Sequence, residues 1–368
     1  MMIESSLPTS LPDYLPKRFQ RIHLELTNHC NFSCIFCPDC IMTRKRGFME
    51  EGVAKSAIDQ IAELDITEKI TFHVMGEPLL HPQFFQILDH ARMRGIPVGL
   101  TTNGALLTTS TIQALATRDL HQIDISLQTP DKDSFLKTRG AKIDFEKYVE
   151  RILDLAAACH ERETAPIFKL RIMTTRFAGK LREELGIPNF LARSCDLQKA
   201  VLEWTERLCT RLHRPTPPNL ARRVKKIGIF GWNVIEILPQ IFIETYVLTD
   251  WGNAFRSERV IEAAHGYCFG MRDHFGILYT GDVVLCCIDF EGKTAVGNIR
   301  DASLASILGS EKLRAVVEGF RKNRLVDPYC RKCLGSHSRI GSYIKPAASY
   351  LGLNVLKPFL YRKFRLYE

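Results

Sequence analysis

Four of the chain's twelve cysteines fall within eleven residues, in the stretch CNFSCIFCPDC that runs from Cys30 to Cys40. Cys30, Cys34 and Cys37 are spaced C-x3-C-x2-C, a loop short enough to set three thiolates at three corners of an iron–sulfur cubane and leave one iron without a protein ligand. An open metal position marks a reactive centre rather than a structural one. The competing reading of the same residues is a zinc knot or ferredoxin-like cluster with Cys40 as fourth ligand. A second group of thiols lies toward the other end: Cys268, then Gly281-x4-Cys286, then Cys330-x2-Cys333. Four thiolates suit a fully coordinated [4Fe–4S] cluster or zinc. Cys286 and Cys287 are neighbours, and successive strand residues point to opposite faces, so only one faces the metal; Cys286 is taken as that one. Cys159, Cys195 and Cys209 stand singly in helix-like contexts and are expected to be buried as small hydrophobes.

Residues 19 to 175 alternate short apolar runs with amphipathic helices, the pattern of parallel β/α architecture. Strands are expected at 21–26, 70–74, 98–101, 122–127 and 168–173, with a sixth at 241–248. Val53, Ala57, Ile61 and Leu64 recur at helical spacing, as do Phe84, Leu88 and Ala91, with Gly95 as the residue that stops the second helix. Phe145, Val149, Ile152 and Ala156 follow Asp144, an N-cap candidate. Ligands bind at the carboxyl ends of strands in such barrels, and the unusual residues sit there. The first strand runs into NHCNFSC, the second into MGEP at Met75–Pro78, the third into TTNG, and the fourth ends in DISLQT with Ser126. Glu244, Asp250 and Arg171 also lie near predicted strand ends, with nothing to rank them.

The expected fold is α/β: a partial (β/α)6 TIM-type barrel with a small C-terminal α+β domain. Residues 1–18 form an N-terminal extension, 19–260 the barrel with an irregular basic helical insertion at 176–240, 261–338 the second domain, and 339–368 a basic, apolar tail. In the second domain FGILYTGDVVLCCID reads as a hairpin about Gly-Asp, followed by a helix over 304–320. The tail either packs on the barrel or lies on an anionic membrane surface. A net charge of +9 is spread without nucleic-acid motifs or aromatic interleaving, so no nucleic acid is expected. The first residues are polar and proline-broken, with no apolar core of signal-peptide length, no apolar run of spanning length appears, and the clustered thiols are expected in a reducing cytoplasm.

The cysteine loop and the strand-end motifs together resemble the radical S-adenosylmethionine (SAM) enzymes, over Cys30 to about Arg139 and again over Cys268 to Cys333. The resemblance implies a [4Fe–4S] cluster on Cys30, Cys34 and Cys37 whose open iron is chelated by SAM. It implies SAM contacts from Phe36 beside the adenine, from Gly76, Glu77 and Pro78 of MGEP along the amino group, from Asn103, from Ser126 at the ribose, and from Arg139 near the carboxylate. Met75 replaces the first glycine of the family's Gly-Gly-Glu-Pro, and Gln128 stands where relatives often carry Asp. The second thiol group, Cys268, Cys286, Cys330 and Cys333, resembles the auxiliary-cluster domain called SPASM in its shortened, twitch form, which implies a second [4Fe–4S] cluster.

The function so implied is reductive cleavage of SAM to a 5′-deoxyadenosyl radical that abstracts hydrogen from substrate. A net two-electron oxidation of a sugar or cyclitol alcohol is expected, with the auxiliary cluster as electron acceptor and a flavodoxin or ferredoxin as external donor. Peptide modification is the alternative, and the eighteen residues before the first strand are too few for a leader-binding domain. A non-catalytic iron–sulfur or zinc protein is the alternative of another class.

Overall fold

The computed structural model describes residues 11–352 apart from 141, 163, 176–192, 249–250 and 256–259. The first ten residues, Asp250, part of the predicted insertion and the tail from 353 onward therefore lie outside the described residues.

The strands are β1 (Arg21–Leu24), β2 (Ile70–Phe72), β3 (Val98–Thr102), β4 (Gln122–Gln128), β5 (Ile167–Thr174), β6 (Asn233–Leu238), β7 (Ile241–Val247), β8 (His274–Ile277), β9 (Asp282–Val284) and β10 (Gly297–Asn298). They form one open sheet in the order β10-β9-β8-β1-β2-β3-β4-β5-β7-β6. From β8 across to β7 every neighbouring pair is parallel. Helices α1 (Glu51–Leu64), α2 (Phe84–Met93), α3 (Thr109–Ala116), α4 (Lys132–Arg139) and α5 (Phe145–His160) connect the first five strands. This is the unclosed parallel barrel expected from the alternating pattern.

Period-two alternation decides what each face carries. Ile22 and Leu24 of β1 join the apolar core with Ala57, Ile58 and Ile61 of α1, and Phe275 of β8 meets Phe19 edge-on at 4.9 Å. Each of the fully buried Ile, Leu and Phe side chains among these contributes about 1.5–3 kcal/mol. The other face is polar: Arg21, Lys69, Gln122, Asp124, Lys169, Arg171 and Glu244 line one cavity of about 290 Å³ in the barrel lumen. Asp144 caps α5 by accepting from the backbone N–H of Glu146 and Lys147, and Gly95, at φ +72°, follows α2 as expected.

Two expectations are corrected. The stretch read as helices and loop before residue 240 does carry helices Ser194–Arg211 and Leu220–Val224, but it ends in strand β6, antiparallel to β7. Pro239 and Gln240 are not ordinary hairpin-turn residues, which hid the pair. The helix expected over 304–320 is two, Leu304–Leu308 and Glu311–Arg321, because Gly309 interrupts it and Ser310 caps the second by accepting from Leu313 N–H. The hairpin β8–β9 turns at Gly281 (φ +95°). It is also hydrogen-bonded into the barrel, since β8 lies parallel to β1. Among the described residues no helix is long and apolar enough to cross a membrane.

Candidate functional site

Cys30, Cys34 and Cys37 border one cavity of about 150 Å³ at the carboxyl end of the sheet, together with Phe36, Gly76, Glu77, Asn103, Ser126 and Arg139. Residues from four strand ends and from α4 thus converge as the motifs implied. The loop's shape comes from α4, whose last carbonyls lack helical partners. Ser33 N–H donates to Arg139 O at 3.1 Å and Ile35 N–H to Thr138 O at 3.0 Å. Asn103 Nδ2 reaches across to Asn31 Oδ1 at 2.8 Å and to Cys30 Sγ at 3.7 Å. Burial pushes the Cys30 thiol up to about 11 and raises Cys34 and Cys37 for the same reason. A cation bound among them reverses that preference, because thiolates are its ligands. Cys40 is exposed on the turn Pro38–Cys40 and is not among the cavity's lining residues, so it does not complete a four-thiol knot there.

At the end of β2 the chain makes its closest approach to the loop. Gly76 has φ +74°, and a Cβ there would lie 2.4 Å from Thr27 O and 2.6 Å from His29 O. Both obstacles are backbone, so Gly76→Ala is expected to cost about 2 kcal/mol or more in stability, read as a lowered urea midpoint. Pro78 opens the short turn Pro78–Leu80 and is buried. Glu77 is also buried, and its carboxylate accepts from Thr102 Oγ1 (2.8 Å), Asn103 N–H (2.7 Å) and Leu79 N–H (3.1 Å). The side chain therefore sews the end of β2 to the end of β3. Burial outweighs those three donors and lifts its pKa to about 7. A carboxyl raised this way favours the fold below its unfolded range and loses that contribution as pH climbs through 7, about 3 kcal/mol in all. Urea unfolding at pH 5 and pH 7.5 checks this: the fall in stability is expected in the parent chain and is flattened in Glu77→Gln.

Arg139 is 2% exposed and forms no ion pair with a carboxylate among the described residues. Its guanidinium lies over the rings of Phe32 (4.7 Å), Phe36 (5.7 Å) and Phe135 (6.0 Å) and donates to Ser126 O at 2.9 Å. Its Nε has no hydrogen-bond partner. A buried cation held by aromatic faces beside a cavity is suited to an anionic ligand. Ser126 borders the same space, and Gln128, at φ +63°, accepts from Tyr246 Oη at 2.7 Å. Deeper in the lumen Arg171 pairs with Glu244 at 3.2 Å; both sit mid-strand rather than at strand ends.

Sequence reasoning missed two devices that hold the mouth together. Glu25, with a fully buried side chain, takes both arms of Arg44 (2.8 and 2.7 Å) and also accepts from Met75 N–H (3.2 Å) and Tyr279 N–H (3.1 Å). One carboxylate thus joins β1, the end of β2, the segment after the cysteine loop and the β8–β9 turn. The second device is the turn Trp251-Gly252-Asn253, with φ of +48°, +68° and +66°. Trp251 Nε1 donates to Phe36 O at 3.2 Å, and a Cβ on Gly252 would meet Cys333 Sγ at 2.9 Å. Asn253 Nδ2 donates to the carbonyls of Lys332, Cys333 and Gly335. The only cue in the sequence is the Gly-Asn pair.

Cys330 and Cys333 lie three apart on the helix Pro328–Leu334, where Asp327 accepts from Cys330 N–H at 3.1 Å. Cys268 is hydrogen-bonded to Cys286, which draws the Cys268 thiol down to about 6. Negative charge on Cys268 and on Cys333 is felt at Cys330, whose thiol burial pushes up strongly. The four predicted thiols are a soft donor set of the kind that holds an iron–sulfur cluster. Cys287 is hydrogen-bonded to His23 as well as to Cys286. Of the single cysteines, Cys159 and Cys209 are buried as expected, but Cys195 is exposed in the first turn of its helix.

The chain matches the Radical SAM superfamily over residues 24–171 and the iron-sulfur cluster-binding SPASM domain over 268–334. It is similar to the S-adenosyl-L-methionine-dependent 2-deoxy-scyllo-inosamine dehydrogenase of Niallia circulans, 30% identical over 125 residues that cover 33% of this chain and 50% of that protein. It is also similar to the mycofactocin maturase MftC of Mycobacterium tuberculosis, 26% identical over 173 residues, 43% of this chain and 42% of that one. The matched stretches thus span half or less of these relatives' lengths. The crystal structure of BtrN in complex with AdoMet and 2-DOIA shares the fold, with a TM-score of 0.50 at 17% identity over 84% of this chain and 89% of that one. A [4Fe–4S] cluster, SAM and further iron–sulfur binding go with these two domains. Residues 24–171 thus form a Radical SAM domain and residues 268–334 an iron–sulfur-binding SPASM domain.

Proposed function

We propose that this protein is a radical SAM oxidoreductase that removes two electrons from a small hydroxylated molecule, such as a sugar or cyclitol alcohol, bound beside the cysteine-loop cavity. The observation that carries the reading is that cavity, bordered by Cys30, Cys34 and Cys37 and, on the barrel side, by His73, Thr101, Gln128 and Tyr246. Such a wall offers both donors and acceptors to hydroxyl groups. The similarity to a named aminocyclitol dehydrogenase points the same way.

When bound, the two clusters and SAM supply the one-electron chemistry: cleavage of a carbon–sulfur bond, a carbon radical that takes hydrogen from the substrate, and an acceptor for the electron that the substrate then gives up. Cys30, Cys34 and Cys37 hold the first cluster; Cys268, Cys286, Cys330 and Cys333 hold the second. Gly76 and Pro78 keep the β2 edge close to the loop, with Glu77 fixing that edge against Asn103. Arg139 would receive the SAM carboxylate, Phe36 would lie beside the adenine and Ser126 beside the ribose. Trp251, donating to Phe36 O, helps close the mouth against water.

Peptide modification is the second reading, favoured by the similarity to a maturase. Anaerobic reconstitution with SAM and dithionite tests the class by release of 5′-deoxyadenosine. A panel of cyclitols and sugar alcohols against short peptides tests the substrate. Product formation, with loss of two hydrogens, is expected only with the alcohols; turnover of peptides alone overturns the small-molecule reading, and no 5′-deoxyadenosine overturns the enzyme reading.

A further inference from the structure

Behind the four-thiol group, inside the barrel wall, lie three further ligand-type side chains that neither proposed cluster uses. His23 comes from β1, His274 from β8, and Cys287 from the segment just after β9. The parallel pairing of β1 with β8 sets Arg21 opposite His274 and His23 opposite Gly276, so both imidazoles leave the sheet on its lumen face. Their rings meet edge-on with centroids 5.4 Å apart. One potential ligand atom from each of the three residues falls within 4.8 Å of those of the other two. Cys287 Sγ is 3.8 Å from His274 Nε2. His23 is 6% exposed, and its Nδ1 has no hydrogen-bond partner. A buried ring nitrogen left unpaired is costly, and coordination of the ring is one way such a site is stabilised.

We infer that His23, His274 and Cys287 form a mononuclear site for a divalent transition-metal ion of the zinc type, separate from the iron–sulfur centres. Two neutral imidazoles and one thiolate are a borderline-soft donor set that suits zinc, and three protein ligands leave a fourth position for water or a substrate oxygen. Binding releases the proton of the Cys287 thiol to solvent, with no change of oxidation state. The site shares a wall with the auxiliary group, since Cys286 Sγ also comes within 3.6 Å of His274 Nε2. On its other side His23 lies 6.1 Å, centroid to centroid, from His73, which lines the cysteine-loop cavity. Both adjacent cysteines approach His274, whereas His23 is hydrogen-bonded to Cys287.

The test needs neither SAM nor turnover, so it stands or falls apart from the proposed reaction. The anaerobically reconstituted full chain is incubated with Zn²⁺, passed through a desalting column and assayed for zinc, iron and sulfide, with zinc-edge X-ray absorption on the same sample. About one zinc per chain is expected, in a shell of two imidazole nitrogens and one sulfur. Cys287→Ser and His23→Gln are expected to cut retained zinc about tenfold or more with iron and sulfide unchanged. Loss of iron and sulfide in Cys287→Ser with zinc unaffected by His23→Gln would show that this thiol serves the cluster and overturn the inference. So would negligible zinc in the parent chain, or full zinc retention in both variants. Should Cys287→Ser fail to fold, the decision rests on His23→Gln, which replaces no thiol: retained zinc refutes the site and lost zinc upholds it.

Discussion

Arg139→Leu is expected to weaken SAM binding by about 2–5 kcal/mol, roughly 30-fold or more in Kd, while the cofactor-free chain unfolds at the same urea concentration or a higher one. The opposite signs follow from one arrangement. The guanidinium is buried without a carboxylate partner, touching three aromatic faces and one main-chain oxygen. An uncompensated buried charge is a cost to the free protein, and an apolar side chain of similar volume removes it. On the proposed binding mode the same charge anchors the SAM carboxylate. Arg139→Lys should bind better than the leucine variant but below the parent, because a point charge lacks the planar fork and the ring stacking. Equilibrium dialysis gives the affinity and urea unfolding the stability; unchanged affinity in Arg139→Leu would remove this residue from the site.

Glu25→Ala is expected to cost about 3–5 kcal/mol of stability, the usual penalty for removing one partner of a buried ion pair. Four donors converge on that carboxylate, from Arg44, Met75 and Tyr279. Its loss strands a largely buried guanidinium, whose side chain is 10% exposed, and two backbone N–H groups. The double variant Glu25→Ala with Arg44→Leu should recover part of the loss, because it no longer leaves a lone charge. The midpoint of urea unfolding, compared across the two single variants and the double, measures the coupling.

The barrel was legible because its strands are apolar runs bounded by turn signals and its helices keep a 3.6-residue period. β1 to β5 and β7 lie where the runs of 21–26, 70–74, 98–101, 122–127, 168–173 and 241–248 put them, to within a few residues. The mouth was legible because its chemistry is local: Cys30, Cys34 and Cys37 share one loop, and each strand-end motif follows its strand directly. What escaped depends on distance in the chain. Nothing near Glu25 marks it as the partner of Arg44 and of Tyr279, 254 residues on. That β8 would pair with β1 is likewise a contact between remote segments. Lys169 and Arg171, which alternate with Phe168 and Leu170 in β5, line the polar lumen beside Glu244 of β7, a strand far along the chain. For the left-handed turn at Trp251 the sequence offers only the Gly-Asn pair that follows it.

That last turn has a consequence for maturation. Trp251 leans on the backbone of the loop that carries Cys37, and Asn253 two residues later grips the end of the helix that carries Cys333. Filling one centre therefore restrains the scaffold of the other, and a chain charged at a single end keeps its partner end half-assembled. Iron delivery to this protein should be cooperative: during stepwise reconstitution, empty and doubly filled chains should outnumber those loaded halfway.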